Sequence, residues 1–292
     1  MIAPSDNPRD PAHVLIAGCG DIGIGLAARL HDAGHRVSGL RRNTAALPNH
    51  IEPIEADLAQ PESFPVPAPG FDYLVYTASA DSYSESAYRR AYVDGLRTLL
   101  AWLDQAGRPA NRLVFASSTS VYSEDRGGWV DEDSPVRNDH FGPANLLEAE
   151  RMLDRHPTES VVVRFGGIYG PGRTALIDRV LRGEARCVRG NYTNRIHRDD
   201  CAAVLAHLLT VDEPERAYLA VDSDPAPACE VQRWLAARLN APEPTVIEPT
   251  APAAGRGPRN KRCSNQRLLA TGFKFRFPGY RDGYETLVPS GK

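Results

Sequence analysis

The chain has 292 residues, 42% of them hydrophobic and 24% charged, enough to bury a core as one large domain or as a domain with a smaller lobe. A net charge of -3 leaves no excess of Lys and Arg to neutralise a nucleic-acid backbone. No apolar run approaches the roughly 18–20 residues of a membrane helix, and the polar, Pro-broken opening Met1-Ile2-Ala3-Pro4-Ser5-Asp6 is unlike a signal peptide. A cytoplasmic protein is expected, with a small-molecule substrate and neither nucleic-acid nor membrane partners.

The first element is the apolar run Val14–Ala17, read as a strand. It leads into Gly18-Cys19-Gly20-Asp21-Ile22-Gly23 and then a helix whose Ile22, Leu26 and Leu30 recur at four-residue spacing. A G-x-G-x-x-G turn between strand and helix points to a dinucleotide. Gly18 makes the turn, Gly20 lets the pyrophosphate approach the backbone, and Gly23 lets helix and strand pack closely. The helix N-terminus, with Asp21 and Ile22, offers N–H groups to the phosphates. Cys19 sits inside this turn, read as a tolerated small residue in preference to a reactive thiolate.

The second strand, Arg36–Leu40, ends in Gly39-Leu40-Arg41-Arg42 and lacks the carboxylate that binds ribose hydroxyls in NAD sites. Guanidinium groups there can instead form paired, charge-assisted bonds to a 2′-phosphate. NADP is therefore the expected cofactor, with NAD the alternative if the two arginines are merely solvated.

Further strands are read at Tyr73–Thr77, Leu113–Ser117 and Val161–Phe165, with a helical stretch Glu85–Ala106 between them. Strands alternating with helix-length crossovers specify an α/β fold, a Rossmann-type doubly wound parallel sheet. The dinucleotide domain is assigned to residues 12–165 with a returning helix at about 198–211. Residues 166–197 and 212–292 form a small C-terminal substrate lobe. Within it, Gly166–Gly172 reads as a loop and Thr174–Arg182 as a helix. Pro242–Pro258 reads as an irregular surface connector. In Lys261–Val288, Phe273, Phe275 and Phe277 alternate with basic residues, the pattern of a half-buried strand. The five cysteines form no C-x-x-C pair and are read as free thiols, and the eight histidines show no metal-binding spacing.

Taken with the glycine turn, four segments resemble in order and spacing the extended and atypical short-chain dehydrogenase/reductase superfamily, in particular its NAD-dependent epimerase/dehydratase branch. They are Ala56-Asp57-Leu58, Ser117-Ser118-Thr119-Ser120-Val121-Tyr122, Arg164 through Gly170-Pro171, and His197-Arg198-Asp199-Asp200. The resemblance covers most of the chain, best from about His13 to Val211. It implies that Asp57, with Leu58 beside it, contacts the adenine. It implies that Thr77-Ala78-Ser79 runs along the cofactor and that Ser118 is the catalytic hydroxyl. Arg164–Gly172 would pass beneath the nicotinamide.

One departure governs the chemistry. The family's Tyr-x-x-x-Lys pair corresponds here to Phe141 and Asn145, which supply neither a phenol nor a charge. Three outcomes stay open. His140, Tyr122, Tyr169 or His197 replaces the acid, the substrate carries its own acid or base, or the chain is a non-catalytic dinucleotide-binding sensor.

Overall fold

The computed structural model describes residues 11–107, 109–249 and 260–288. The chain divides into two compact units. One takes in residues up to Ser117 with Asn145–Val163 and Ala202–Arg216. The other takes in Ser118–Ala144, Arg164–Cys201 and residues from Ala217 onward.

The first unit is built on a parallel sheet whose strands run in the order Glu159–Phe165, Arg112–Ser118, Tyr73–Tyr76, His13–Ala17, Arg36–Arg41 and Glu52–Glu55. Near-continuous apolar runs such as Val14-Leu15-Ile16 are what a sheet buried on both faces requires, and all three side chains are at most 1% exposed. The order reverses between His13–Ala17 and Tyr73–Tyr76, which pair in parallel register from Val14↔Tyr73 to Ala17↔Tyr76. The crevice beyond the carboxyl ends of two such strands is where doubly wound sheets bind ligands. Leu15, Leu40, Tyr76, Leu96, Leu99, Leu113, Phe115 and Leu153 form the core on one face.

All five strands read from the sequence are present within two residues of the expected bounds. Glu52–Glu55 was not anticipated, because Glu-Pro-Ile-Glu lacks β-branched alternation. It lies at the sheet edge, where a Pro and exposed acids are tolerated. The strand Ala217–Ala220 also escaped detection.

Glu85–Ala106 is helical but not one regular helix. An α turn at Glu85–Tyr88 passes through a π segment, Arg89–Asp94, into the α-helix Gly95–Leu103. The buried Tyr76 hydroxyl donates to the Ala91 carbonyl inside the π segment, giving that carbonyl a partner from the sheet. Arg112 performs a similar service elsewhere. Its buried guanidinium donates to the carbonyls of Leu208, Leu209 and Val211 at 3.0, 3.1 and 2.7 Å, closing the end of the helix Arg198–Thr210.

The second unit is made of short strand pairs and helices. Gly167–Tyr169 pairs in parallel with Arg195–His197, Arg186–Val188 with Thr245–Ile247, and Trp129–Val130 with Arg262–Cys263. Tyr169, Ile177, Val180, Val231, Leu235, Tyr280 and Tyr284 form its core.

Several expectations for this unit need correction. Gly167–Tyr169 is a strand within the stretch read as a loop, although Gly170 and Gly172 do take positive φ of 145° and 78°. Thr245–Ile247 is a strand within the stretch read as an irregular connector, drawn out by its partner Arg186–Val188. Residues 250–258 of that stretch lie outside the described residues. Phe273–Phe277 is not a strand. The N–H groups of Arg276 and Phe277 are taken at 2.9 and 3.0 Å by the two carboxylate oxygens of buried Asp200, so no sheet ladder is needed. Nor are all five cysteines free. Cys187 and Cys229, 42 positions apart, form a disulfide, while Cys19, Cys201 and Cys263 are buried thiols. No helix among the described residues is long and apolar enough to cross a membrane.

Candidate cofactor and active site

The first unit brings most of the expected dinucleotide residues together. Gly18 has φ +80°, and a Cβ there would lie 2.3 Å from the backbone nitrogen of Ala78, so only glycine fits. Thr77 ties the two strand ends together. Its N–H donates to the Ala17 carbonyl at 2.8 Å and its hydroxyl to the Gly18 carbonyl at 3.1 Å. A Cβ on Gly23 would meet Ile16 at 3.0 Å and both Cys19 and Thr77 at 3.4 Å, the tight contact expected of the third glycine. Gly20 is different. It precedes the helix Asp21–Asp32 with φ -97°, and a Cβ there would meet nothing nearer than the Gly18 carbonyl oxygen at 3.8 Å. Backbone at this point is therefore open to approach by a bulky phosphate. First-turn N–H groups of such a helix, among them those of Ile22 and Gly23, have no carbonyl one turn back to bond.

Burial pushes the Cys19 thiol up to about 11, more than Arg41 offsets, so it is a packed thiol rather than a reactive one. Arg41 donates to the Cys19 carbonyl at 3.2 Å, which places a guanidinium against the glycine turn itself. Arg42 instead forks onto Asp81 at 2.9 and 3.0 Å in an exposed ion pair. Asp81 was not singled out in the sequence because it lies 39 positions away. Asp57 holds its own turn, accepting from the Ala59 N–H at 3.0 Å and the Gln60 amide at 3.3 Å, while Leu58 packs on the core. Ala78 backs onto Gly18, and Ser79 is exposed.

At the end of Arg112–Ser118, Ser117 donates to Glu150 at 2.7 Å, both side chains buried. Glu150 went unnoticed because an acid inside an amphipathic helix ordinarily faces solvent. In the second unit, Ser118 accepts the Ser120 N–H at 3.1 Å, and its hydroxyl proton has no acceptor among the described residues. Such a hydroxyl can still donate to a substrate oxygen. Phe141 opens the helix Phe141–Asp154, and Asn145 follows one turn later on the same face, half-buried and buried respectively.

The four substitute acids differ sharply. Tyr122 is 0% exposed, its hydroxyl accepts from Arg164 at 2.8 Å, and burial raises its phenol far above the usual range. His140 precedes the helix Phe141–Asp154, and its Nδ1 accepts the Gly142 N–H at 3.3 Å while its ring lies 4.4 Å from that of Phe141. Tyr169 stacks on Tyr284 at 4.3 Å and meets the edge of His197 at 5.4 Å. His197 also packs on Phe277 at 4.1 Å and is held below the usual imidazole range by burial. Around Tyr169 the structure collects buried polar atoms without a partner among the described residues: Tyr169 Oη, His197 Nε2, Arg195 Nε and Asp222 Oδ2. Burial drives the Asp222 carboxyl up to about 8. Of these, Asp222 carried no sequence signal, since a lone Asp after a strand looks like a turn residue.

A family model described as the NAD dependent epimerase/dehydratase family matches residues 14–220. The 3-diazoavenalumate denitrifying reductase of a Streptomyces species is 30% identical, the alignment covering 92% of this chain and 98% of that protein. A solved structure from Methylobacillus flagellatus, described as an NAD-dependent epimerase/dehydratase, is 38% identical with a TM-score of 0.77, covering 95% and 98% of the two chains. The human epimerase family protein SDR39U1, solved with NADPH, shares the fold at 22% identity and a TM-score of 0.76, over 94% and 98%. With its glycine turn at the sheet's switch point and these matches along most of its length, the chain belongs to the NAD-dependent epimerase/dehydratase family.

Proposed function

We propose that the chain is a reductase that prefers NADPH and acts on a small polar compound, a carbonyl or a nucleotide sugar, through an active site without the Tyr-x-x-x-Lys pair. The observation that carries the cofactor reading is Arg41, whose guanidinium rests on the glycine turn at the end of the second strand, where NAD sites place a carboxylate. Gly18, Gly20 and Gly23 fit a dinucleotide, because two are forced by packing and the third leaves the backbone open. When bound, the nicotinamide supplies the hydride. Arg41, and Arg42 once released from Asp81, would hold a 2′-phosphate, Asp57 and Leu58 would hold the adenine, and Thr77, Ala78 and Ser79 would contact the rest of the dinucleotide.

Ser118 would hydrogen-bond through its hydroxyl to the substrate oxygen, keeping its proton, and so orient the acceptor. Phe141 offers an apolar wall, and the Asn145 amide can bond ribose hydroxyls without lowering any neighbour's pKa. Losing a positioned acid costs about 10²–10⁴ in rate, and the proton that balances hydride addition to a carbonyl would come from water or from an acidic group of the substrate itself. The reductase relative at 30% identity supports hydride transfer over epimerisation.

Fluorescence titration with NADPH and NADH tests the cofactor reading. A preference of about tenfold or more is expected from charge-assisted bonds to the phosphate, and it should vanish in the Arg41→Ala/Arg42→Ala double variant. Equal affinities overturn it. For the chemistry, NADPH oxidation is followed over a panel of carbonyls and nucleotide sugars. Tight cofactor binding with no turnover, together with a cofactor-dependent change in affinity for a protein partner, would instead establish the sensor reading that the missing dyad leaves open.

A further inference from the structure

The second unit holds a guanidinium that the proposed chemistry does not use. Arg262 lies over two aromatic rings, its Cζ 5.2 Å from the centroid of Trp129 and 4.8 Å from that of Tyr192. The surrounding backbone fixes it there. The Arg262 N–H donates to the Gly128 carbonyl and its Nε to the Gly127 carbonyl, each at 2.8 Å. The Gly127 N–H in turn donates to the Asn260 carbonyl at 2.8 Å, and the Asn260 side chain accepts the Tyr192 N–H at 2.9 Å. Glu124, a carboxylate of the same turn, is occupied by the N–H groups of Arg126 and Gly128 at 2.7 and 3.0 Å. Among the described residues no carboxylate lies within ion-pair distance of Arg262, and its Nη1 and Nη2 have no acceptor. Beside it the Trp129 indole is 58% exposed.

A guanidinium edge held in place by the fold, with two donors unspent, is arranged for a pair of oxygens. Because the side chain is already ordered, little conformational freedom is lost on binding. Trp129, 58% exposed, keeps apolar ring surface open beside the guanidinium. We infer that Arg262, Trp129 and Tyr192 form a recognition site for a flat, conjugated carboxylate, with the carboxylate on Nη1 and Nη2 and the conjugated body against Trp129. One edge of two donors matches the two oxygens of a single carboxylate. A nucleoside diphosphate carries more charge than one guanidinium offsets. The inference uses the second unit alone and does not depend on which cofactor the first unit takes.

The test uses the full chain and four probes: trans-cinnamate, its neutral isostere cinnamamide, uridine monophosphate and inorganic phosphate. Calorimetry gives the affinities and quenching of tryptophan emission gives the location. Cinnamate is expected to bind about tenfold or more tighter than the amide. Arg262→Lys, which keeps the charge and loses the fork, should weaken cinnamate by about tenfold, and Trp129→Ala should weaken it and abolish the quench. Circular dichroism establishes that each variant is folded, and if one is not, the acid-to-amide ratio on the wild-type chain decides. Equal binding of acid and amide, wild-type affinity in either folded variant, or tighter binding of uridine monophosphate or phosphate than of cinnamate overturns the inference.

Discussion

Two glycines of the same turn should respond in opposite ways to a single methyl group. At Gly18 the backbone is left-handed, which costs a side chain about 1–2 kcal/mol. The added Cβ would also sit 2.3, 2.4 and 2.7 Å from the N, Cα and Cβ of Ala78. Relief requires moving Ala78 away from a strand end pinned by the Thr77 N–H to Ala17 and the Thr77 hydroxyl to Gly18. Losing one or both of those bonds adds about 1 kcal/mol each. Gly18→Ala should therefore destabilise the chain by about 2–4 kcal/mol. At Gly20, φ is -97° and the nearest atom would be 3.8 Å away. Gly20→Ala should leave stability unchanged or raise it by up to about 1 kcal/mol, because alanine restricts the unfolded chain. If Gly20 is where the pyrophosphate approaches, as the proposed function has it, the methyl stands in its way and NADPH affinity should fall by about tenfold or more. Urea unfolding by circular dichroism and NADPH titration by fluorescence give the two readouts. A Gly20→Ala protein that unfolds early, or binds NADPH as the wild type does, would refute the assignment of the turn, and so would a fully stable Gly18→Ala.

Asp81→Asn should strengthen NADPH binding several-fold and leave NADH unchanged, since it releases Arg42 from an exposed pair worth up to about 1 kcal/mol. An equal change for both cofactors in parallel titrations would show that Arg42 does not read the phosphate. Arg112→Met should cost about 2–4 kcal/mol in urea unfolding, because three helix-end carbonyls lose their donor; a change below about 0.5 kcal/mol would rule out that anchoring role. Asp222 is raised to about 8 by burial, so the folded chain keeps a proton that the unfolded chain releases near pH 4. Its contribution therefore erodes stability as pH rises from about 4 to about 8. Asp222→Asn should match the wild type near pH 4 and exceed it near pH 8.5, by an amount on the order of a few kcal/mol. Urea midpoints that stay parallel across that range would remove Asp222 as the cause.

What could be read from the sequence was local. The strand Val14–Ala17, the turn and the helix behind it are encoded within twenty residues, and apolar runs mark strands buried on both faces. Arg41 and Arg42 were legible as cations at a strand end, but their different partners were not. Arg42 meets Asp81 through a fold that brings together residues 39 positions apart. The Cys187–Cys229 bond joins positions separated by 42 and lacks any spacing signature. Glu52–Glu55 was missed because an edge strand may be polar, and the π segment because its composition suits an α-helix equally well. In the Phe273–Phe277 stretch the alternation was genuine, with Phe273 and Phe277 buried and Lys274 and Arg276 exposed. Alternation reports which side chains face inward, though not which acceptor the backbone finds.

Asp200 shows why the reach of a recognisable sequence and the reach of a self-sufficient fold are different lengths. The family match ends at residue 220, whereas the two N–H groups that Asp200 accepts belong to Arg276 and Phe277. Asp200 is 1% exposed, so a fragment cut at the end of the match would lose two N–H donors to its carboxylate together with the Phe277 ring that packs on neighbouring His197. The tail thus supplies part of the surroundings of the segment that the family model recognises. Borrowing that segment as a module would mean carrying the tail along with it.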